Sequence, residues 1–245
     1  MSDRIENKNI EESQSAPQEE QNLVVKTQNY MARNGKKLLG TVVASVLLIV
    51  VLSMVWNNFQ ASADQDMEDA AVATDRVMKY YAAGEYEKAL NGDDTKTIRG
   101  EKIIGLTEIA DNYATSIQGK TAALYAGNAY LALSQADKAA EYFDIALNCE
   151  PKLILIGANA GLGACREMTG NNKEAAEYFE KAAELSSTEN TKNRYKYYAA
   201  LNLEKSGDNA GAETIYKLIV DMASGYSEFV IYAKEGLARI GTIIE

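Results

Sequence analysis

Residues 120–151 read KTAALYAGNAYLALSQADKAAEYFDIALNCEP, and the spacing of their small and aromatic residues decides the fold. Ala126-Gly127 followed by Tyr130 lies on one helix-favouring stretch, and Ala139 and Phe143 stand one turn apart on the next. Small residues let two antiparallel helices approach closely, and an aromatic ring fills the space beside the crossing. Pro151 closes the stretch at the point where a new helix is expected to start.

The same markers return further along the chain. Gly127, Ala139 and Phe143 recur as Gly163, Ala175 and Phe179, each 36 residues later, and again as Ala200, Ala212 and Tyr216, each 37 residues after that. Three markers that keep one register through two steps indicate a structural repeat. Gly170-Asn171-Asn172 and Gly207-Asp208-Asn209 are the terminating and turn signals between the helices of the later copies. A degenerate copy precedes them, with Val77, Tyr80, Gly84 and Ala89, until Asn91-Gly92-Asp93-Asp94 interrupts it before a helical stretch expected over Arg99–Ala114. At the other end, Val230, Ala233, Leu237 and Ile240 fall at helical spacing and predict a capping helix. From Asp64 onward the chain is rich in Ala, Tyr, Glu and Lys with a single proline, a composition that favours helices throughout and leaves little room for a sheet.

A small residue and a Tyr on the first helix, Ala-x-x-x-Phe on the second, then Pro: this pattern, matched closely from Lys120 to Pro151, resembles the tetratricopeptide repeat. Arg166 and Leu203 stand where later copies of that family pattern would have Tyr, and no Pro closes those copies. The resemblance implies that the first helix of each pair lines a concave, ligand-facing surface. By it, the polypeptide-binding groove is expected at Thr121, Leu124, Asn128 and Leu131, continued by Ala160, Ala164, Glu167 and Met168, then by Arg194, Tyr197, Leu201 and Glu204. Such a mixed surface suits an extended or helical polypeptide better than a small metabolite. Leu124 and Ala160 leave it short of the bases that a clamp for an acidic C-terminus would need.

Upstream of the repeats, Leu38 to Trp56 reads LLGTVVASVLLIVVLSMVW, and no charge occurs between Lys37 and Asp64. Nineteen helical residues cover about 28 Å, close to a bilayer's hydrocarbon core. Residues 38–57 are therefore expected to be a single transmembrane helix in contact with lipid. Lys26, Arg33, Lys36 and Lys37 precede it, whereas Asp64, Asp66, Glu68 and Asp69 follow before the first base, Arg76. The positive-inside rule then puts the N-terminus in the cytoplasm and the C-terminal part across the membrane. Ala61-Ser62-Ala63 is an A-x-A site that a signal peptidase could cut, but the region before the apolar run is about twice the usual length for a leader, which favours an uncleaved anchor.

The expected fold class is all-α: a single N-terminal transmembrane helix followed by a tetratricopeptide-repeat α-solenoid. The expected divisions are a disordered acidic tail with a basic juxtamembrane end (1–37), the span (38–57), a linker helix with a degenerate first repeat (58–119), three repeats (120–226) and a capping helix (227–245).

Charge and composition exclude several functions. The 245 residues include no histidine, so no Ser-His-Asp or Cys-His pair and no His-ligated metal can form. Residues 1–57 hold six bases and six acids, so the whole net charge of −10 belongs to the remainder, which argues against nucleic acid as a partner. The acidic stretch Asp64–Asp69 lacks the spacing of a calcium loop, and no glycine-rich phosphate loop is present. No cofactor, metal or catalytic residue is expected. Cys149 and Cys165 are placed too far apart by helical rise to pair and are expected as free thiols.

An acidic tail, then Tyr30-Met31-Ala32-Arg33-Asn34-Gly35-Lys36-Lys37, one span ending near Trp56 and helical repeats together resemble the ancillary Sec translocon subunit family. That resemblance implies a single-pass bacterial inner-membrane protein with a periplasmic repeat domain, associated with the Sec channel and periplasmic chaperones. The function expected is that of an adaptor or chaperone-like subunit binding polypeptides. The alternative is a fixed scaffold subunit of an envelope secretion or outer-membrane assembly complex.

Overall fold

The computed structural model describes residues 3–222 and 227–242, without the side chains of residues 3–21, 24, 38, 62 and 63. Two compact units divide the chain, residues 1–62 and 63–245. Helix α1 (Asp3–Ala82) supplies the backbone of the first and the start of the second. It begins at Asp3, within residues 1–37, where the sequence predicts a disordered acidic tail with a basic juxtamembrane end. Glu, Gln, Lys and Ala are competent helix formers whose backbone ladder needs no partner, whereas the composition argument concerned packing.

In the first unit the apolar side chains from Leu39 to Phe59 are exposed, at 43% to 68%. The structure thus contains one helix long and apolar enough to cross a membrane, with none of its apolar window buried in protein. A buried core helix would have shown the opposite.

The second unit starts with the end of α1, where Ala70, Ala73, Val77 and Tyr80 form a buried helical stripe. It continues with α2 (Tyr86–Asn91), β1 (Gly92–Ile98), β2 (Glu101–Ile104), α3 (Leu106–Asn112), α4 (Ile117–Ala132), α5 (Ala136–Leu147), α6 (Lys152–Met168), α7 (Asn172–Leu185), α8 (Glu189–Lys205), α9 (Asn209–Asp221) and α10 (Glu228–Arg239). From α4 on, every helix packs on the next, and α4 also reaches α6 as α8 reaches α10. The core runs along this array in three consecutive segments, the last two built around Phe179 and Tyr216. Each pair of helices buries its apolar face mainly on its neighbours.

The marker residues meet as their chemistry requires. The fully buried Phe143 ring sits between two glycines: a Cβ on Gly127 would stand 2.7 Å from it, and one on Gly161 of the next first helix only 2.3 Å. Tyr216 lies as closely over Gly236, at 2.5 Å, while Phe179 stands over Gly163 at 3.0 Å. At Gly127, Gly161 and Gly236 only glycine leaves room for the ring, whereas at Gly163 the contact is tight but adjustable.

One turn geometry ends five helices. At Gly84, Ser134, Gly170, Gly207 and Gly241, φ lies between 58° and 85°. The following amide donates back five residues in each case, Glu85 to Tyr80, Gln135 to Tyr130, Asn171 to Arg166, Asp208 to Leu203 and Thr242 to Leu237, at 2.8–2.9 Å. These are Schellman turns, and Ser134 is the one non-glycine among them. Side-chain caps from Ser116, Thr188 and Asp208 open α4, α8 and α9.

Among the described residues the regular structure is otherwise helical, but a two-stranded antiparallel hairpin overturns the helix expected over Arg99–Ala114, of which only Leu106–Asn112 is helical. Arg99 and Gly100, at φ 54° and 85°, make the two-residue turn between Ile98 and Glu101. Thr95, Thr97, Ile98, Ile103 and Ile104 are β-branched, and that local preference prevails. The buried Asp93 carboxylate fastens β1 to α1 by accepting the Tyr80 hydroxyl, and it also accepts Thr95 Oγ1 and, at 3.1 Å, the Thr95 amide. The hydrogen bonds from Thr95 and then Tyr80 hold its pKa down at about 2.

Candidate functional site

The first helices α4, α6 and α8 bring equivalent residues into columns. Repeat spacing aligns Leu124 with Ala160 and Tyr197, Asn128 with Ala164 and Leu201, and Leu131 with Glu167 and Glu204. All nine are half-buried, which means that each column shares its surface between solvent and neighbouring helices.

Several of these residues are engaged within the protein. Thr121 donates its hydroxyl to the Ile117 carbonyl at 2.8 Å, one turn back on its own helix. Leu124 lies over Gly157 of α6, where a Cβ would come within 3.1 Å of its methyl groups. Its side chain therefore packs α4 onto α6. Arg194 stacks 4.7 Å from the Tyr195 ring centroid and donates to its hydroxyl at 3.0 Å. Asn128, Leu131 and Leu201 stay half-buried.

The expected ligand-facing carboxylate of Glu204 is already occupied. Arg239 of α10 binds it through two nitrogens at 2.9 Å and 3.0 Å, and the buried Tyr216 hydroxyl donates to it at 2.8 Å. Bidentate pairing of this kind is the strong form of ion pair. Arg239 first, then Tyr216, hold the Glu204 pKa below the usual carboxylate range, while burial and the bond to Glu204 raise that of Tyr216. One repeat earlier Glu167 pairs with Lys205. Thus a carboxylate near the end of one first helix meets a base near the end of the next, from α6 to α8 and from α8 to α10. This ladder neutralises the acidic column, leaving apolar and amide groups to determine what can bind there.

Tyr197 belongs to an aromatic cluster. Its ring centroid is 5.5 Å from Tyr232, 5.9 Å from Tyr198, 6.0 Å from Tyr216 and 6.1 Å from Phe229. Sequence reasoning missed Tyr232, which remains 37% exposed beside it, and its chain neighbour Ile231, which is 43% exposed. The available signal was the 34-residue step from Gly207 to Gly241, which carries Tyr197 onto Ile231. Aromatic rings with one accessible face and a hydroxyl rim suit contact with polypeptide.

Cys165 is buried and Cys149 half-buried, and both are free. Burial raises both thiols, Cys165 to about 11, so neither is an activated nucleophile. Among the described residues no group of three Asp, Glu or Cys side chains is arranged to hold a metal ion. Comparison with protein-family models gives no match, and comparison with curated proteins gives none either.

Proposed function

We propose that this chain is a membrane-anchored, non-enzymatic adaptor whose helical repeats form a tetratricopeptide solenoid that binds polypeptides outside the cytoplasm. The observation that carries the reading is the repeat register: Phe143, Phe179 and Tyr216 wedge successive helix pairs, and the first helices share one partly exposed face. The exposed apolar run from Leu39 to Phe59 supports the anchor, and the bases before it support a cytoplasmic N-terminus. The resemblance at Asn34-Gly35-Lys36 supports a bacterial inner-membrane location, with the Sec translocon and periplasmic chaperones as partners.

Purification of the tagged full chain in mild detergent, followed by mass spectrometry, tests this. Substoichiometric recovery of several polypeptides, Sec components or chaperones among them, is the expected result; recovery of no polypeptide partner sinks the proposal. A second reading, a fixed scaffold subunit of an envelope assembly, is favoured by the exposed Leu218, Met222, Ile231 and Tyr232 on α9, the residue after it and α10. It predicts one partner in constant stoichiometry.

A further inference from the structure

Residues 23–37 lead into the apolar run, and all of them lie on α1 within the first unit. No acid occurs between Glu20 and Asp64, so Lys26, Arg33, Lys36 and Lys37 are the only charges of that stretch. All four are exposed, and none has a carboxylate partner among the described residues. Leu23, Tyr30 and Met31 are exposed as well, at 65%, 61% and 61%.

Helical spacing sorts these residues into adjoining stripes. Lys26, Arg33 and Lys37 follow at steps of seven and four, which keeps them within about 40° of one another around the axis. Leu23 and Tyr30, also seven apart, form the next stripe, and Met31 lies beyond it. A basic stripe beside an apolar one is the pattern of a helix that lies in a membrane interface. Distance decides how much of it a straight helix could use. At about 1.5 Å per residue, Arg33, Lys36 and Lys37 stand within about 8 Å of the start of the apolar run, whereas Lys26 stands about 18 Å before it. Attraction to a charged surface decays over about 8 Å at physiological salt, so Lys26 and the apolar stripe contribute only where the helix bends toward the bilayer. Asn34-Gly35 is placed for that bend. Nothing lies within 4 Å of a Cβ built on Gly35, so no packing contact accounts for glycine there, and glycine weakens a helix interior relative to alanine.

We propose that residues 23–37 bind anionic phospholipid: the helix bends at Asn34-Gly35 and lies along the bilayer surface, with Lys26, Arg33, Lys36 and Lys37 on the headgroup phosphates and Leu23, Tyr30 and Met31 in the acyl boundary. The inference rests on the membrane anchor proposed above. Its occupant follows from continuity and charge. Lys37 immediately precedes the expected span on the same helix, so the headgroups around that span also surround these bases. Four unpaired cations with no acid among them complement an anionic headgroup better than a zwitterionic one.

Hydrogen exchange on the full chain in nanodiscs tests this. The discs are phosphatidylcholine, alone or with an equal part of phosphatidylglycerol, and the readout is protection of residues 23–33. Phosphatidylglycerol is expected to slow exchange there, and added salt to remove the difference. Each base near an anionic surface is worth about fivefold, so Lys26→Gln combined with Arg33→Gln should lose about 25-fold of the effect. Gly35→Ala keeps every charge but stiffens the bend, and should lose about fivefold. Equal protection in the two lipids, or an unchanged response in either variant, overturns the proposal. Stronger protection by soluble polyglutamate in phosphatidylcholine discs than by phosphatidylglycerol assigns the segment to an acidic polypeptide and overturns it too. Residues 39–56 report the anchor separately: if they exchange freely in both discs, the anchor fails and this inference with it, whereas their protection in both isolates a failure to the lipid-binding segment.

Discussion

Replacing Gly161 by alanine tests the aromatic wedge that sets the repeat packing. The added methyl would stand 2.3 Å from Phe143 Cζ and 2.5 Å from both Cε atoms. Carbon atoms in contact rest about 3.5–4.0 Å apart, so the ring must retreat by more than about 1 Å. Its far side is closed by Gly127, whose own Cβ position lies 2.7 Å from the same ring. Overpacking of this kind costs about 1–3 kcal/mol, and a ring clamped on both sides belongs near the upper end. Alanine returns about 1 kcal/mol of helix propensity, leaving a net loss of about 1–2 kcal/mol. Gly163→Ala, at 3.0 Å from Phe179, should be close to neutral, and Gly157→Ala should be tolerated because it meets the movable Leu124 side chain at 3.1 Å. Urea unfolding of the full chain in detergent, followed by circular dichroism, gives this ranking. Adding Phe143→Leu should recover about 1 kcal/mol of the Gly161→Ala loss in a double-mutant cycle. If Gly161→Ala proves more stable than the parent, as on a free helix surface, the wedge is wrong.

Three further outcomes follow from other contacts. Ser134 holds φ 58° in a turn where the equivalent positions are glycine, so Ser134→Gly should raise unfolding stability by about 0.5–1 kcal/mol in the same assay. Glu204 has a folded-state pKa below its ordinary 4.5, chiefly through Arg239. Its contribution is therefore complete above pH 4.5 and is lost as pH falls through the folded value, so a urea-midpoint series should fall more steeply below pH 4.5 in the parent than in Glu204→Gln. Alkylation in the native state at pH 8 should label Cys149 well before the buried Cys165, and mass analysis without reductant should find the two unjoined.

The helical repeats were legible because close crossings demand small residues, and these recur at fixed distances from an aromatic residue. Gly161 escaped notice as a packing partner of Phe143, since nothing in a single repeat says which neighbouring helix the far face of a ring will touch. The hairpin was hidden because β1 (Gly92–Ile98) pairs irregularly between Asp93 and Thr97 and β2 (Glu101–Ile104) is too short to establish a two-residue period, and an Arg-Gly turn lacks the Asn-Gly signal. The columns of the candidate face followed from repeat spacing alone. What each column residue touches did not, because the Glu204–Arg239 and Glu167–Lys205 pairs join positions 35 and 38 residues apart, and only the packing of successive first helices brings them together.

The central claim, that the shared face of the first helices holds polypeptide, is tested most directly by photo-crosslinking in cells. A photoreactive residue at Asn128 or Leu201 of the full chain reports on that face, and one at Lys173 on the exposed start of α7 serves as the comparison. Crosslinked polypeptides, identified by mass spectrometry, are predicted from Asn128 and Leu201 and not from Lys173. Adducts from Lys173 alone, or from none of the three in a correctly inserted chain, would contradict the account.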